Sequence, residues 1–369
     1  MPDSARPRLT PAVADVRRAV RAGLFPFSGN GGTEVAEVTS DLGSESTSST
    51  SSPHLPENGK PLVLVALSGG PDSLALAAAV AFEASRVGVR AGAVIVDHQL
   101  QNGSDAVAER AAEQARALGL DPVRVVAADV AAGGSREAAA RDARYDALAA
   151  VAAEMGAGAV LLGHTLDDQA ETVLLGLARG SGGGSLQGMA PVAGLYRRPL
   201  LGIRRSTTVQ ACADGGLEAW ADPHNAAPAY TRVRVRNTVL PVLEAELGPG
   251  VAEALARTAE QLREDEDAFA TMIDEVAEEL AEHIDSGIAV PVAVLAANPA
   301  ALRQRIIRFV VQSEFGVSLS RAHTLEIARL VTDWHGQGPL DVPGISIARA
   351  GGRIEFRARV AEEHADGHD

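Results

Sequence analysis

Ser68-Gly69-Gly70-Pro71-Asp72-Ser73 is the stretch on which the fold is read. An unbroken apolar run, 61–67 (PLVLVAL), leads into it, and a segment of helical pattern, 74–87, leads out. A buried strand, a tight turn and a helix therefore meet at these six residues. Glycine lets the backbone turn sharply and expose its N–H groups. Pro71 suits the first helical turn, where a missing N–H costs nothing. The helix N-terminus then offers donors and partial positive charge, a setting for phosphate. No Walker-type Gly-Lys-Ser/Thr is present, and Lys60 is the only lysine in the chain. Phosphate contacts thus fall to arginine, backbone N–H groups or a metal ion.

Working outward, the alternation continues. Segments 91–96, 123–127 and 159–162 read as short apolar strands, and 106–118, 137–155 and 168–179 as helices between and after them. Such a series predicts an α/β fold: a doubly wound parallel sheet covered on both faces, with ligands at the strand C-terminal ends. Upstream, Val13, Val16, Val20 and Leu24 recur at helical spacing, which predicts a helix over 11–24. Residues 25–60 are rich in Ser, Thr, Gly and Glu and are read as a disordered insertion. After a Gly-rich loop at 181–185 comes an Arg-bearing stretch, 197–236. An acidic helical region runs from about 250 to 285, with Leu262, Phe269, Met272, Ile273, Val276 and Leu280 as its apolar stripe. Helices near 302–313 and 320–333 and strands near 345–348 and 353–357 complete a smaller C-terminal α+β domain. The expected division is an N-terminal helix (1–24), the insertion (25–60), the α/β domain (61–245) and the smaller C-terminal domain (250–369).

Composition narrows the class. The 369 residues are 46% hydrophobic and 22% charged, ordinary for a soluble protein, and suffice for two or three domains. No apolar run approaches the roughly 20 residues that span a bilayer, so no membrane role is expected. Cys212 stands alone, which excludes an internal disulfide and a cysteine zinc cage. A cytoplasmic location follows as the simplest reading. The net charge of −15 argues against a nucleic-acid partner, but a polyanion responds to local charge. Between 195 and 243, seven arginines face three acidic residues. That local basic stretch suits RNA phosphates.

Two further motifs fall at strand ends. Val96-Asp97-His98 closes the second strand, beside the expected crevice. Gly163-His164-Thr165-Leu166-Asp167-Asp168-Gln169-Ala170-Glu171-Thr172 follows the fourth. Asp167 and Glu171 are four apart and share a helix face, with Asp168 alongside. Near a triphosphate such carboxylates call for a bridging cation, and Mg²⁺ held by Asp72 and Asp168 is the expectation. They could equally serve as a general base, and spacing leaves the two roles open. His164 lacks the company of a zinc ligand.

These motifs carry a resemblance. SGGPDS resembles the SGGxDS signature of the PP-loop, or N-type ATP pyrophosphatase, superfamily (adenine nucleotide alpha hydrolase-like), whose members split ATP into AMP and pyrophosphate. The resemblance implies that Ser68, Gly69, Gly70, Pro71, Asp72 and Ser73, with Asp97, His98 and His164, hold ATP. GHTLDDQAET resembles the HxxDDQxET segment of the tRNA(Ile)-lysidine synthetases. Arg141, Arg144 and Tyr145 resemble their RxxRY, Arg198-Pro199-Leu200-Leu201 their RPLL, and Asp222 with Asn225 their D-x-x-N. Arg232, Arg236 and Leu240-Pro241 resemble the segment that follows. Gln99, Gln101 and Val233 depart from the family, which has Gly, Arg and Asn there. The resemblance spans 63–243. It implies catalytic roles for Asp72, Arg144, Asp167 and Glu171, and tRNA contacts by Arg198, Arg205, Asn225, Arg232 and Arg236. It implies ATP and Mg²⁺ as cofactors, and tRNA(Ile) with a CAU anticodon and free L-lysine as partners. The expected reaction joins lysine to C2 of the wobble cytidine through an adenylated intermediate. The sequence leaves oligomeric state open, a homodimer included. A rival reading is another PP-loop enzyme, a tRNA thiolase or amide ligase; the lone Cys212 speaks against thiolation. A non-catalytic nucleotide sensor on the same scaffold would lack the SGGPDS and DDQAET pairing.

Overall fold

The computed structural model describes residues 9–27, 59–99, 103–128, 136–180, 182–220, 230–280, 282–284 and 287–359. Two compact units divide the chain, residues 1–263 and 264–369. The segment read as a disordered insertion lies almost wholly outside the described residues.

The first unit opens with α1 (Pro11–Leu24), capped by the Thr10 hydroxyl on the Val13 N–H. Then follow β1 (Leu62–Ala66), α2 (Pro71–Ala84), β2 (Arg90–Asp97), α3 (Ser104–Ala117), β3 (Val123–Ala127), α4 (Arg136–Met155), β4 (Ala157–Leu161) and α5 (Leu166–Ala178). A short helix α6 (Gly183–Leu186), the hairpin strands β5 (Val192–Ala193) and β6 (Tyr196–Arg197), and α7 (Arg205–Asp214) come next. Helix α8 (Thr231–Arg234) continues through a π-helical turn, Val235–Val239, into α9 (Leu240–Leu247). The long helix α10 (Val251–Leu280) runs from the first unit into the second.

The sheet order is β3-β2-β1-β4-β6-β5. β1 pairs in parallel with both β2 and β4, so successive crossovers leave β1 in opposite directions. The crevice at that reversal is where a doubly wound sheet places its ligand. All five residues of β1 are buried, as expected of a strand covered on both faces. Val63, Val65, Leu74 and Val80 form one core with Val16, Val20 and Leu24 of α1. Leu62, Leu64, Val94, Leu148 and Val160 form the core on the other face. The N-terminal helix is thus part of the nucleotide domain's packing, not an appendage. Its Arg21 also neutralises the fully buried Glu83 of α2 through two bonds of 2.8 and 3.0 Å.

The second unit holds a five-stranded antiparallel sheet, β7 (Glu282–Ile284), β8 (Gly287–Pro291), β9 (Leu340–Val342), β10 (Ile345–Ala350) and β11 (Arg353–Ala358), in the order β7-β8-β11-β10-β9. Helices α11 (Val292–Ala297), α12 (Ala300–Phe315) and α13 (Arg321–Thr332) lie between β8 and β9 in the chain. Ile345, Ile347, Ile354 and Phe356 alternate inward against Ile306, Val310 and Ile327. Phe269, Ile273 and Val276 of α10 join this core, while Met272 is exposed. One residue is about 100° of helix rotation, which turns Met272 off the stripe that holds Ile273. The Leu280 side chain lies outside the described residues.

Candidate active site

Three strand ends converge on the crevice. After β1, Gly69 takes φ +80°, a left-handed value that favours glycine, and Gly70 caps α2. The Ser73 hydroxyl braces the turn: it accepts from the Ser68 N–H at 3.1 Å and donates to the Gly70 carbonyl at 3.0 Å. The Trp220 N–H binds the Gly69 carbonyl from outside at 2.9 Å. Pro71 at the first helical position leaves the Asp72 and Ser73 amides as the helix's unsatisfied donors. These are the features that bind phosphate at a helix start.

At the end of β2, Asp97 Oδ1 accepts the Gln99 N–H at 2.9 Å. Gln99 holds φ +52°, a conformation for which its family counterpart, glycine, is suited. His98 Nδ1 and His164 Nδ1 are buried with no hydrogen-bond partner among the described residues. Burial pushes the His164 imidazole down to about 4, opposed by Asp168 and reinforced by Arg144, Arg198 and Arg141. Burial and Arg144 also lower His98, against Asp97. Both rings are therefore neutral at pH 7. Arg144, on α4, is itself shifted down by burial and by Arg141, with Tyr145 opposing. Both imidazoles are thus neutral, feel the Arg144 guanidinium and keep an unpartnered Nδ1, the kind of buried polar group that calls for a partner.

The third wall is α5. Thr165 and Asp168 form a capping box, with Asp168 Oδ2 accepting from the Thr165 N–H and hydroxyl, each at 2.8 Å. Asp168 Oδ1 faces Arg205 Nη2 at 2.7 Å and Arg236 Nη2 at 3.1 Å. Burial alone would raise Asp168, but Arg205, the Thr165 bonds and Arg236 outweigh it and hold the carboxyl below its usual range. Glu171 is fully buried and takes Arg236 Nε at 2.6 Å, Arg236 Nη2 at 3.0 Å and Arg205 Nη1 at 3.2 Å, and Arg232 Nε stands 3.3 Å away as an ion pair without a hydrogen bond. Arg232 also donates to Thr172 at 2.7 Å. Asp167 accepts the Arg205 backbone N–H at 2.7 Å and pairs with Arg204 at 3.5 Å. Asp72, from α2, completes the wall: Oδ2 takes Arg205 Nε at 3.1 Å, and Oδ1 takes the Thr208 hydroxyl. Its carboxyl is raised by burial, with Arg205 and Thr208 pulling it back and Asp168 adding to the rise.

The expected roles meet this geometry unevenly. Asp72, Asp167, Asp168 and Glu171 come together, as one helix face and one PP-loop helix predict. The arginines do not form a row facing solvent. Arg198 is 8% exposed, and its Nη1 donates to the Ala190 carbonyl at 2.8 Å. Arg205, Arg232 and Arg236 turn inward to Asp168 and Glu171, buried carboxylates that would be uncompensated charges without them. Asn225 lies outside the described residues. Mg²⁺ does not fit between Asp72 and Asp168 as they stand, since each of their four oxygens already accepts from an arginine, a hydroxyl or an N–H. Among the described residues no other group of His, Cys, Asp and Glu could hold a metal ion.

A PP-loop domain family matches residues 44–243, and the TilS substrate binding domain matches 291–355. A tRNA(Ile)-lysidine synthase of Leifsonia xyli is 64% identical over 80% of this chain and 89% of its own length. The chain belongs to the tRNA(Ile)-lysidine synthase family. Relatives of that name from Streptomyces coelicolor (55% identical, 80% of this chain, 85% of theirs) and Salinispora tropica (45%, 94% and 96%) extend the match. Among solved structures, a U34-tRNA thiolase from Methanococcus maripaludis with its [4Fe-4S] cluster superposes with a TM-score of 0.51 at 18% identity, covering 69% of this chain and 79% of that one. That likeness shows the shared fold alone.

Several site residues of this synthase-family chain escaped the sequence reading. Arg204 and Thr208 flank Arg205 on α7 and reach Asp167 and Asp72. Gln169 clasps Met189 through both backbone groups, at 2.7 and 3.0 Å, and pins the Gly-rich loop to α5. Arg263 grips the same loop through the Gln187 and Met189 carbonyls. The Gln169 signal was present in DDQAET, but its partner stands 20 residues away. No periodicity links the two.

Proposed function

We propose that this protein ligates free lysine to C2 of the wobble cytidine in the CAU anticodon of tRNA(Ile), consuming ATP and releasing AMP and pyrophosphate. The observation that carries the reading is the meeting of the Ser68–Ser73 phosphate turn and the α5 carboxylates at one sheet crevice, in a chain 64% identical to a tRNA(Ile)-lysidine synthase. ATP lies with its phosphates on the Asp72 and Ser73 amides and its remaining contacts near Asp97, His98 and His164. Cytidine O2 attacks the α-phosphate, and pyrophosphate leaves. The side-chain amine of lysine then attacks C2, and AMP departs with O2. The amine must lose its proton, from a reference pKa of about 10.4. Asp167, the most accessible carboxylate of α5, is assigned to that amine, and Glu171 to holding Arg232 and Arg236. Arg144 supplies positive charge at the nucleotide side. Mg²⁺ travels on the phosphates of ATP, not as an ion resident between Asp72 and Asp168.

The segment 250–369 is assigned to recognition of tRNA shape, with Arg232 and Arg236 as contacts near the anticodon. The work is placed in the cytoplasm; no described helix is long and apolar enough to cross a membrane. A homodimer is the proposed state in solution, which sedimentation analysis reads as twice the mass of the chain. The reaction is tested with radiolabelled lysine, ATP and unmodified tRNA(Ile) transcript, against a transcript with uridine at the wobble position. Label on the cytidine transcript alone, with AMP and pyrophosphate formed, supports the reading. AMP without lysine transfer would redirect it to another nucleophile.

A further inference from the structure

Arg205 opens α7, yet its side chain serves two other helices. It binds Asp72 of α2 at 3.1 Å, and Asp168 and Glu171 of α5 at 2.7 and 3.2 Å. Its backbone N–H holds Asp167 at 2.7 Å. One turn later the buried Thr208 hydroxyl takes the second oxygen of Asp72. A planar fork with five N–H groups can meet three carboxylates at once, which a lysine ammonium does with far less definition. The three carboxylates and the phosphate turn are thereby fixed relative to one another by one residue.

The charge pattern gives this arrangement a consequence. Asp72 and Asp168 repel, and that repulsion contributes to the raised Asp72 carboxyl. Two neighbouring carboxylates with free oxygens are what a divalent cation seeks. Here a guanidinium stands in that place. Arg232 and Arg236 pair with Glu171 and Asp168, so Arg205 is the cation that answers Asp72. We propose that Arg205 is a positioning residue and the resident counter-cation of this acidic wall, holding Asp72 against α5 and excluding a divalent ion from between Asp72 and Asp168, so that Mg²⁺ enters only with nucleotide. The proposal rests on the ATP-ligating reading of the site, but its main readout does not need turnover.

The test is a titration of the full-length protein with Mn²⁺ alone, without ATP, followed by the paramagnetic signal of free ion. Wild type should take up no saturable Mn²⁺ at the acidic wall. Arg205→Ala should gain one site, at least about tenfold tighter than any wild-type uptake, and Asp72→Asn in the same background should remove it. Arg205→Lys, which keeps the charge, should stay near wild type. Guanidinium ion at millimolar level should restore part of the lost turnover of Arg205→Ala, where sodium does not. Saturable Mn²⁺ binding by wild type that Asp72→Asn abolishes would overturn the proposal, and that arm stands even where the alanine variant fails to fold. A folded Arg205→Ala that gains no ion would overturn it as well. Absence of lysidine from wild type would sink the functional reading and leave the metal result to be judged separately.

Discussion

Gly163 lies directly against the Ser73 amide: a Cβ on residue 163 would stand 3.0 Å from that nitrogen and 3.1 Å from the Asp72 carbonyl carbon. Both neighbours are backbone of the phosphate turn, so neither can swing aside. Gly163→Ala should therefore shift the Asp72 and Ser73 amides by a few tenths of an ångström. Displacing the phosphate donors should raise the KM for ATP by about tenfold, equivalent to about 1.4 kcal/mol. The KM for lysine should change little. Steady-state AMP release under varied ATP checks this, and an unaltered KM for ATP would remove Gly163 from the site.

The clasp between Gln169 and Met189 makes a second prediction. Gly188, the residue before Met189, has φ +64°, and a Cβ there would come within 2.6 Å of Gln169 Oε1. Gly188→Ala thus carries backbone strain and breaks the clasp together. Gln169 is 4% exposed, so its amide would lose partners without gaining water. The cost should be about 1–3 kcal/mol, read as a lowered urea midpoint. Gln169→Ala should cost a similar amount, and the double variant should be clearly less than additive. Full additivity would show that the two residues act separately.

What the chain disclosed before folding, and what it withheld, divides along contact range. Strand β1, helix α2 and the PP-loop were legible because apolar runs, glycine and Pro71 act locally. The α5 carboxylates were legible as one helix face. The two-residue strands β5 and β6 left no pattern long enough to read. The basic composition of 195–243 points to RNA phosphates and carries no sign of the carboxylates that the arginines meet. Their actual partners, Asp72, Asp168 and Glu171, lie 34 to 136 residues from Arg205 or Thr208, and the pairing is a tertiary fact. Asp168 and Glu171 are buried on α5 and Asp72 stands at the start of α2, so the arginines meet them only once those helices have come together.

The neutral His164 predicts a pH dependence of stability. Its folded pKa of about 4 lies below the ordinary 6.5, so the unfolded chain binds a proton that the folded site refuses. Stability is therefore full above about pH 6.5 and falls as pH drops from there towards 4. His98, also lowered, acts in the same direction. Asp168, held below its usual range, loses its contribution only at still lower pH. His164→Gln should flatten the slope of the urea midpoint between pH 6.5 and 4.5 while leaving the midpoint at pH 8 within about 1 kcal/mol of wild type. An unchanged slope would mean that His164 titrates normally.

The division of labour between the units is open to a direct cut. The first unit contains the phosphate turn, the α5 carboxylates, Arg205 and the Arg263 grip on the Gly-rich loop, and its cores are built from its own residues. The second unit has its own antiparallel sheet and core, and residues 291–355 match the TilS substrate binding domain. A protein ending at residue 263 should thus retain ATP binding within about threefold of full length, since every residue assigned to ATP is kept. Binding of tRNA(Ile) should fall by at least about a hundredfold, or roughly 2.7 kcal/mol. Fluorescence titration with an ATP analogue and filter binding of labelled tRNA measure the two independently. Parallel loss of both would mean that the cut unfolds the first unit, and circular dichroism would show it. Equal tRNA affinity with ATP binding intact would place RNA recognition on the first unit, where Arg232 and Arg236 already border the catalytic wall.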